Sequence, residues 1–191
     1  MNQILIDFPD QFETDRLIVR SAKPGDGSKV WEAVNASRKE LKPWLAFASH
    51  EATAEETEIN IRESYTKFLA REDLRLLVFL KNSGEFVASS GLHRINWDVR
   101  RFEIGYWIDS RMSGQGYMTE AVEGIARFAF TTLDAQRVEI RCDAENKKSR
   151  SIPEKLGFEL EGILKNNELN PLSKKPIDTC VYAKVIRQRN G

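Results

Sequence analysis

Arg111-Met112-Ser113-Gly114-Gln115-Gly116 joins a strand-like run, residues 102–109, to a strongly helical run that opens at Tyr117. A short loop with two glycines and no acidic side chain lets backbone N–H groups converge on an anion, and the following helix adds the positive end of its dipole. Phosphate or pyrophosphate is the expected guest. Glycines between a strand and a helix also serve as plain turn formers, and Gly-x-Gly on its own is a weak motif.

On the C-terminal side of the loop, Met118, Ala121, Val122, Ile125, Ala126, Ala129 and Phe130 form one broad apolar face, while Glu120, Glu123, Arg127 and Thr131 recur at intervals of three and four. That pattern predicts an amphipathic helix over 117–133. On the N-terminal side, alternation through 101–108 places Phe102, Ile104, Tyr106 and Ile108 on one face of a strand and Glu103, Gly105 and Trp107 on the other. Further upstream, apolar runs at 74–80 and 85–95, joined by Lys81-Asn82-Ser83-Gly84, read as an antiparallel pair.

The remaining elements fall around these. Residues 12–21 predict one strand that starts polar and enters the core. A turn at Lys23-Pro24-Gly25-Asp26-Gly27 precedes a helix capped by Asp26 or Ser28, with Val30, Trp31, Ala33 and Val34 inward; it fades into a second short helix and a loop over 38–50. There Trp44 and Phe47 are either core anchors, the commoner fate of large aromatics, or part of a substrate wall. Thr53-Ala54-Glu55-Glu56 opens a helix that runs to about residue 72. Downstream come a strand at 138–142 and a capped helix from Asn146 to a stop at Gly157, with Pro153 in or near its first turn. Two last strands follow, 158–164 and 179–186, with a polar loop carrying Pro171 and Pro176 between them. The sum is an α+β plan with one mixed, mostly antiparallel seven-stranded sheet flanked by helices.

With 191 residues, 41% of them hydrophobic, the chain suits one domain over 1–191 with its core at about 12–186. Twenty-nine basic residues balance 29 acidic ones, so the electrostatic footprint of a general nucleic-acid binder is missing and no direct nucleic-acid binding is expected. Cys142 and Cys180 lie in apolar, strand-like surroundings without metal-ligand spacing and read as buried core thiols of a reduced, cytoplasmic protein. His50 and His93 are far apart with no carboxylate at ligand spacing, so no metal is expected. Residues 1–9 do not read as a signal peptide, and no apolar run approaches the ~20 residues of a membrane span.

Two motifs together resemble a family. Arg111-x-x-Gly114-x-Gly116 with Tyr117-Met118-Thr119-Glu120-Ala121 resembles the acetyl-CoA pyrophosphate loop of the GCN5-related N-acetyltransferases (GNAT). Asn146-x-x-Ser149-x-x-Ile152-Pro153-Glu154-Lys155-Leu156-Gly157-Phe158, then Glu161-Gly162, resembles that superfamily's second signature. The wording of Arg16-Leu17, Glu103-Ile104-Gly105-Tyr106-Trp107-Ile108 and Ser149-Arg150-Ser151-Ile152-Pro153-Glu154 is most similar to the RimJ/RimL branch, whose named members acetylate α-amino termini of ribosomal proteins. The resemblance is strong from Glu103 onward and vague over 24–71, the region that shapes the acceptor pocket in such proteins, so it implies the donor more firmly than the acceptor.

The resemblance implies an N-acetyltransferase that uses acetyl-CoA as co-substrate, by direct attack of a primary amine in a ternary complex. The acceptor it implies is the N-terminal α-amine of a protein such as a ribosomal protein. A small-molecule amine acetyltransferase acting on a polyamine, amino acid or antibiotic, and a non-catalytic acetyl-CoA-binding module, are the alternatives, and a homodimer is possible. Arg111, Met112, Ser113, Gly114, Gln115, Gly116, Tyr117 and Met118 are expected to line the pyrophosphate, backbone N–H groups near Trp107 and Ile108 the thioester, and Asn146 the pantetheine. Glu103 is the candidate acceptor of the amine proton, directly or through water; it can equally be a solvated residue or the partner of an arginine. Ser149 is the candidate donor to the departing thiolate, in place of the tyrosine many members use, and can equally be an N-cap. An α-amine with pKa near ~8 is about a tenth neutral at pH 7, against about four parts in ten thousand for a lysine near ~10.4, so a terminal amine needs far less help.

Overall fold

The structure is a computed structural model, and it describes residues 2–186. Eight strands form one sheet: β1 (Gln11–Glu13), β2 (Leu17–Ser21), β3 (Leu74–Leu80), β4 (Phe86–Asn96), β5 (Arg101–Ile108), β6 (Arg137–Asp143), β7 (Glu159–Leu169) and β8 (Pro176–Val185), in the order β1-β2-β3-β4-β5-β6-β8-β7. Every pairing is antiparallel except β5 with β6. The helices are α1 (Gly27–Leu41), α2 (Ala54–Ala70), α3 (Tyr117–Thr132) and α4 (Lys147–Lys155).

The sheet has eight strands where seven were expected, because residues 12–21 fold as a hairpin. The hydroxyl of Thr14 accepts from Leu17 N–H at 3.2 Å and Thr14 N–H donates to the Leu17 carbonyl at 3.0 Å, closing a turn at Asp15 and Arg16. Alternation continues through those polar turn residues, so the hydrophobic period does not register the reversal. The last two strands are also longer than expected, which shortens the loop between them to residues 170–175 and places Pro176 at the start of β8.

Strand β3 is apolar almost throughout because both its faces are covered. Leu76 and Val78 join Leu17, Val19, Ile104, Val122, Ile125 and Ile140 in the core beneath α3 and α4, whereas Leu77 and Phe79 face α1 and α2 with Val30, Ala33, Ile61 and Phe86. Each such side chain, taken fully out of water, contributes about 1.5–3 kcal/mol. On the second face α1 and α2 are clamped together by Glu58, which accepts from Gly25 N–H at 2.8 Å and Gly27 N–H at 2.9 Å. A Cβ at Gly27 would lie 2.6 Å from the Glu58 Cα, so only glycine permits that approach.

Three local expectations are corrected. Helix α1 does not fade but continues to Leu41, followed by a 3-10 turn at Ala46–Ser49. Asp26 stands at its N-cap without capping it, since its carboxylate holds the Arg20 guanidinium at 2.7 Å and accepts from Lys23 N–H. Pro153 lies inside α4, beyond its first turn, because the helix opens at Lys147.

Candidate active site

The Gly114 and Gly116 backbones both sit at φ +82°, a left-handed conformation that other residues adopt at a cost of about 1–2 kcal/mol. They turn the chain from β5 into α3 so that the N–H groups of residues 114–119 meet no acceptor among the described residues, and Gly116 makes no side-chain cap. A row of uncommitted donors at the head of a sixteen-residue helix is an anion cradle. Open space surrounds Gly114, where a Cβ would meet nothing within 4 Å.

Arg111 adds less free charge than its position suggests. Its backbone N–H, Nε and Nη2 all bond the buried Asp109 carboxylate, at 2.9, 3.0 and 2.6 Å. The other side of the loop is held by Arg16, from the β1–β2 turn. Its Nε donates to Glu120 at 2.7 Å, its Nη1 to the Gln115 carbonyl at 3.1 Å, and its guanidinium lies 4.4 Å over the Tyr117 ring. Glu120 also accepts from the Thr14 hydroxyl and from Arg16 N–H. Burial works against ionising this carboxyl, but those hydrogen bonds outweigh it and hold Glu120 below the usual range.

Beside the cradle the sheet opens. Strands β5 and β6 pair only from Arg101↔Arg137 to Glu103↔Glu139, although β5 runs on to Ile108 and β6 to Asp143. Parallel strands that part in mid-course expose main-chain groups of both, and the backbone of Trp107 and Ile108 lies on the parted stretch.

On the far side of this opening stands α4. Asn146 caps it, accepting Ser149 N–H at 3.1 Å, so Ser149 is not the cap. The Ser149 hydroxyl instead donates to the phenol oxygen of Tyr106 at 3.2 Å, and Tyr106 donates to the Ser149 carbonyl at 2.9 Å. Burial pushes the Tyr106 phenol well above its ordinary range, so it stays protonated. Reading the sequence places Tyr106 only on the apolar face of β5; the available signal was its polar tip among Phe and Ile, since a buried tyrosine hydroxyl finds a partner.

The face of the sheet toward α1 and α2 carries the charged groups. Glu103 accepts from Arg94 Nη1 at 3.3 Å and lies 3.5 Å from Arg141 Nε, which gives it the arginine partners left open above. Arg94 reaches it because a bulge in β4, with Arg94 at φ +46°, breaks the alternation that would send it to the other face. Burial raises Glu103 above the usual carboxylate range, and the two arginines only partly offset that. Arg75 is also sunk in this face, where Ser89, Asn60 and Ser64 oxygens accept from its guanidinium and, among the described residues, no carboxylate lies within ion-pair distance of it. Trp107 closes the end of the face against Phe86 and Phe47, at ring distances of 5.7 and 6.0 Å.

Trp44 and Phe47 are exposed, at 37% and 47%, so neither anchors the core; Phe47 extends the aromatic wall from Trp107. The tip of the β7–β8 hairpin reaches the same region, with Asn170 Nδ2 donating to the Pro43 carbonyl at 3.3 Å. Cys180 is buried as expected, but Cys142, its direct cross-strand partner, is half-buried. Burial pushes the Cys142 thiol up to about 11, which disfavours a thiolate nucleophile. Among the described residues no three His, Cys, Asp or Glu side chains group as metal ligands, and no helix is long and apolar enough to cross a membrane.

Free N–H donors at a helix head, a slot between parted parallel strands and a charged face on the opposite side are the layout of a group transferase that takes a phosphate-bearing donor. The family described as Acetyltransferase (GNAT) domain matches residues 16–159, and the chain belongs to that family as an N-acetyltransferase. Two of the relatives it matches carry names of ribosomal acetyltransferases. It is 30% identical over 149 residues to the Bacillus subtilis (strain 168) protein YdaF, provisionally named a ribosomal N-acetyltransferase; the match covers 78% of this chain and 80% of that one. Among solved structures, RimL, titled a ribosomal L7/L12 alpha-N-protein acetyltransferase in complex with coenzyme A, superposes with a TM-score of 0.83 at 23% identity, covering 91% of this chain and 96% of that one. The microcin C7 self-immunity acetyltransferase MccE, in complex with acetyl-CoA and AMP, gives 0.85 at 20% identity, covering 94% and 98%. At these identities the structures speak for the fold.

Proposed function

We propose that this chain transfers the acetyl group of acetyl-CoA to the N-terminal α-amine of a protein, a ribosomal protein being the favoured acceptor. The observation that carries the donor assignment is the set of N–H groups of residues 114–119, which meet no acceptor from the described residues and fit a pyrophosphate. Gly114, Gln115, Gly116, Tyr117 and Met118 hold it chiefly through main-chain groups, and Ser113, whose N–H bonds the Ser110 carbonyl at 3.3 Å, adjoins them with its hydroxyl. Arg111 and Met112 shape the turn ahead of them, and Asn146 borders the pantetheine path. When bound, acetyl-CoA supplies an activated thioester.

The chain's own residues then have three tasks. The main-chain N–H of Ile108, on the edge of β5 that β6 has left, orients the thioester carbonyl and stabilises its developing charge, while the Trp107 N–H faces β4. Glu103 holds the incoming ammonium and draws its proton, directly or through water. The hydroxyl pair of Ser149 and Tyr106 supplies a proton to the departing sulfur.

The preference for an α-amine rests on its larger neutral fraction, which suits a site whose proton acceptor is a carboxylate already facing two arginines. Release of free CoA with Ser- and Ala-starting peptides, spermidine, free amino acids and aminoglycosides tests it. Preferred turnover of the peptides is expected; binding of acetyl-CoA without turnover on any amine would instead make the chain a sensor or scaffold. A homodimer is proposed on the family likeness alone, and light scattering tests it.

A further inference from the structure

His93 lies directly across the β4–β5 pair from Glu103, and Gly91 lies across from Gly105. Its ring leans over both glycines. A Cβ at Gly91 would come within 2.9 Å of His93 Cε1, and one at Gly105 within 3.2 Å of Cδ2 and 3.6 Å of Nε2. The ring therefore fills the dip that Gly105 leaves between Glu103 and Trp107, on the face where the amine must approach. Asp73, just ahead of β3, meets His93 Nδ1 at 2.7 Å, and both side chains are about a third exposed, at 32% and 31%. A carboxylate on Nδ1 favours the proton there and leaves the lone pair on Nε2, the ring nitrogen on the Gly105 side. An oriented imidazole of this kind has the geometry of a base held by a third group. Glu103, by contrast, presents one carboxylate oxygen to two arginines.

We infer that His93 Nε2 is the terminal acceptor of the amine proton, with Asp73 as its positioning residue; this rests on the acetyl-transfer reading above. The amine nitrogen forms a bond to the acetyl carbon, the carbon–sulfur bond breaks with its electron pair on sulfur, and the departing sulfur takes a proton from the Ser149–Tyr106 pair. The proton lost from nitrogen passes through Glu103 or a water to Nε2. The imidazolium so formed is paired with Asp73 and returns its proton to solvent through the exposed ring edge, and the Ser149–Tyr106 pair takes up a proton to replace the one it gave, so the cycle closes. Neither oxidant nor further co-reactant is needed.

The test uses the full chain, acetyl-CoA and whichever amine the wild type acetylates best. His93→Gln is expected to lower kcat about 10²-fold, within the usual range for losing a general base, with the Kd for acetyl-CoA unchanged. His93→Gly, which empties the space above the two glycines, is expected to regain at least about tenfold with saturating free imidazole, and Asp73→Asn to lose about tenfold. A purely structural role would give no rescue. His93→Gln within about twofold of wild type, or a folded His93→Gly indifferent to imidazole, overturns the inference and leaves acetyl transfer standing. A wild type that acetylates no amine overturns both.

Discussion

The phenol of Tyr106 donates to the main-chain carbonyl of Ser149 at 2.9 Å, and that carbonyl is the one Pro153 leaves without a helical donor. Proline four residues on has no N–H to give. The gap in the α4 ladder is thus filled from β5, which ties the second signature to the strand beside the cofactor slot and brings the two hydroxyls together.

Tyr106→Phe removes both that donor and the acceptor of the Ser149 hydroxyl. It is expected to cost about 1–3 kcal/mol of stability, the penalty of a buried unsatisfied carbonyl, read as a lowered denaturant midpoint. Turnover should fall about 10–100-fold in Tyr106→Phe and in Ser149→Ala with acetyl-CoA affinity unchanged, and the double variant should fall little further, because the two hydroxyls act as one unit. Additive losses would separate their roles.

Glu103→Gln is expected to reduce turnover about 10²-fold while leaving acetyl-CoA binding alone. Because burial raises the carboxyl and it must be ionised to hold the ammonium, wild-type kcat/KM should fall as pH drops through a value above the ordinary carboxylate range. In the Gln variant this limb should disappear. A wild-type profile that is flat down to pH 4 would remove Glu103 from the mechanism.

At the cradle, Gly114→Ala meets open space and changes only the backbone preference at φ +82°. It should therefore raise KM for acetyl-CoA, by about 5–30-fold for a strain of 1–2 kcal/mol, with a smaller effect on kcat. A rise in KM for the amine alone would place the anion elsewhere.

The Glu120 carboxylate, which holds Thr14 and Arg16 to the head of α3, gives a stability signature. Its folded-state pKa is depressed, so its contribution is present above the unfolded value and is lost as pH falls through the folded one. Glu120→Gln is expected to be less stable than wild type near pH 7 by about 1.5–3 kcal/mol, the scale of a hydrogen bond to a charged group. The difference should shrink as the pH is taken below the ordinary carboxylate range, in parallel chemical-denaturation curves.

Local pattern carried most of the fold into view. The alternation at 101–108, the amphipathic face of α3 and the glycine loop are each written in consecutive residues, so strand, helix and turn were legible. The β1–β2 turn was not, because Thr14, Asp15 and Arg16 are polar whether they sit in a strand or reverse it. The unpaired donors at the head of α3 could be expected because they are main-chain groups set by Gly114 and Gly116. The acid–base half depended on side chains brought together by sheet register: Asp73 and His93 are 20 residues apart, and Tyr106 and Ser149 are 43. Only the pairing of β3, β4 and β5, and the seat of α4, makes them neighbours.

The most direct measurement is intact-mass and fragmentation analysis of an equimolar mixture of a Ser-starting peptide containing one lysine and spermidine, incubated with the full chain and acetyl-CoA. Acetyl on the peptide α-amine, with the lysine and the polyamine unmodified, is the predicted result. Acetylated spermidine with an untouched peptide N-terminus would contradict it.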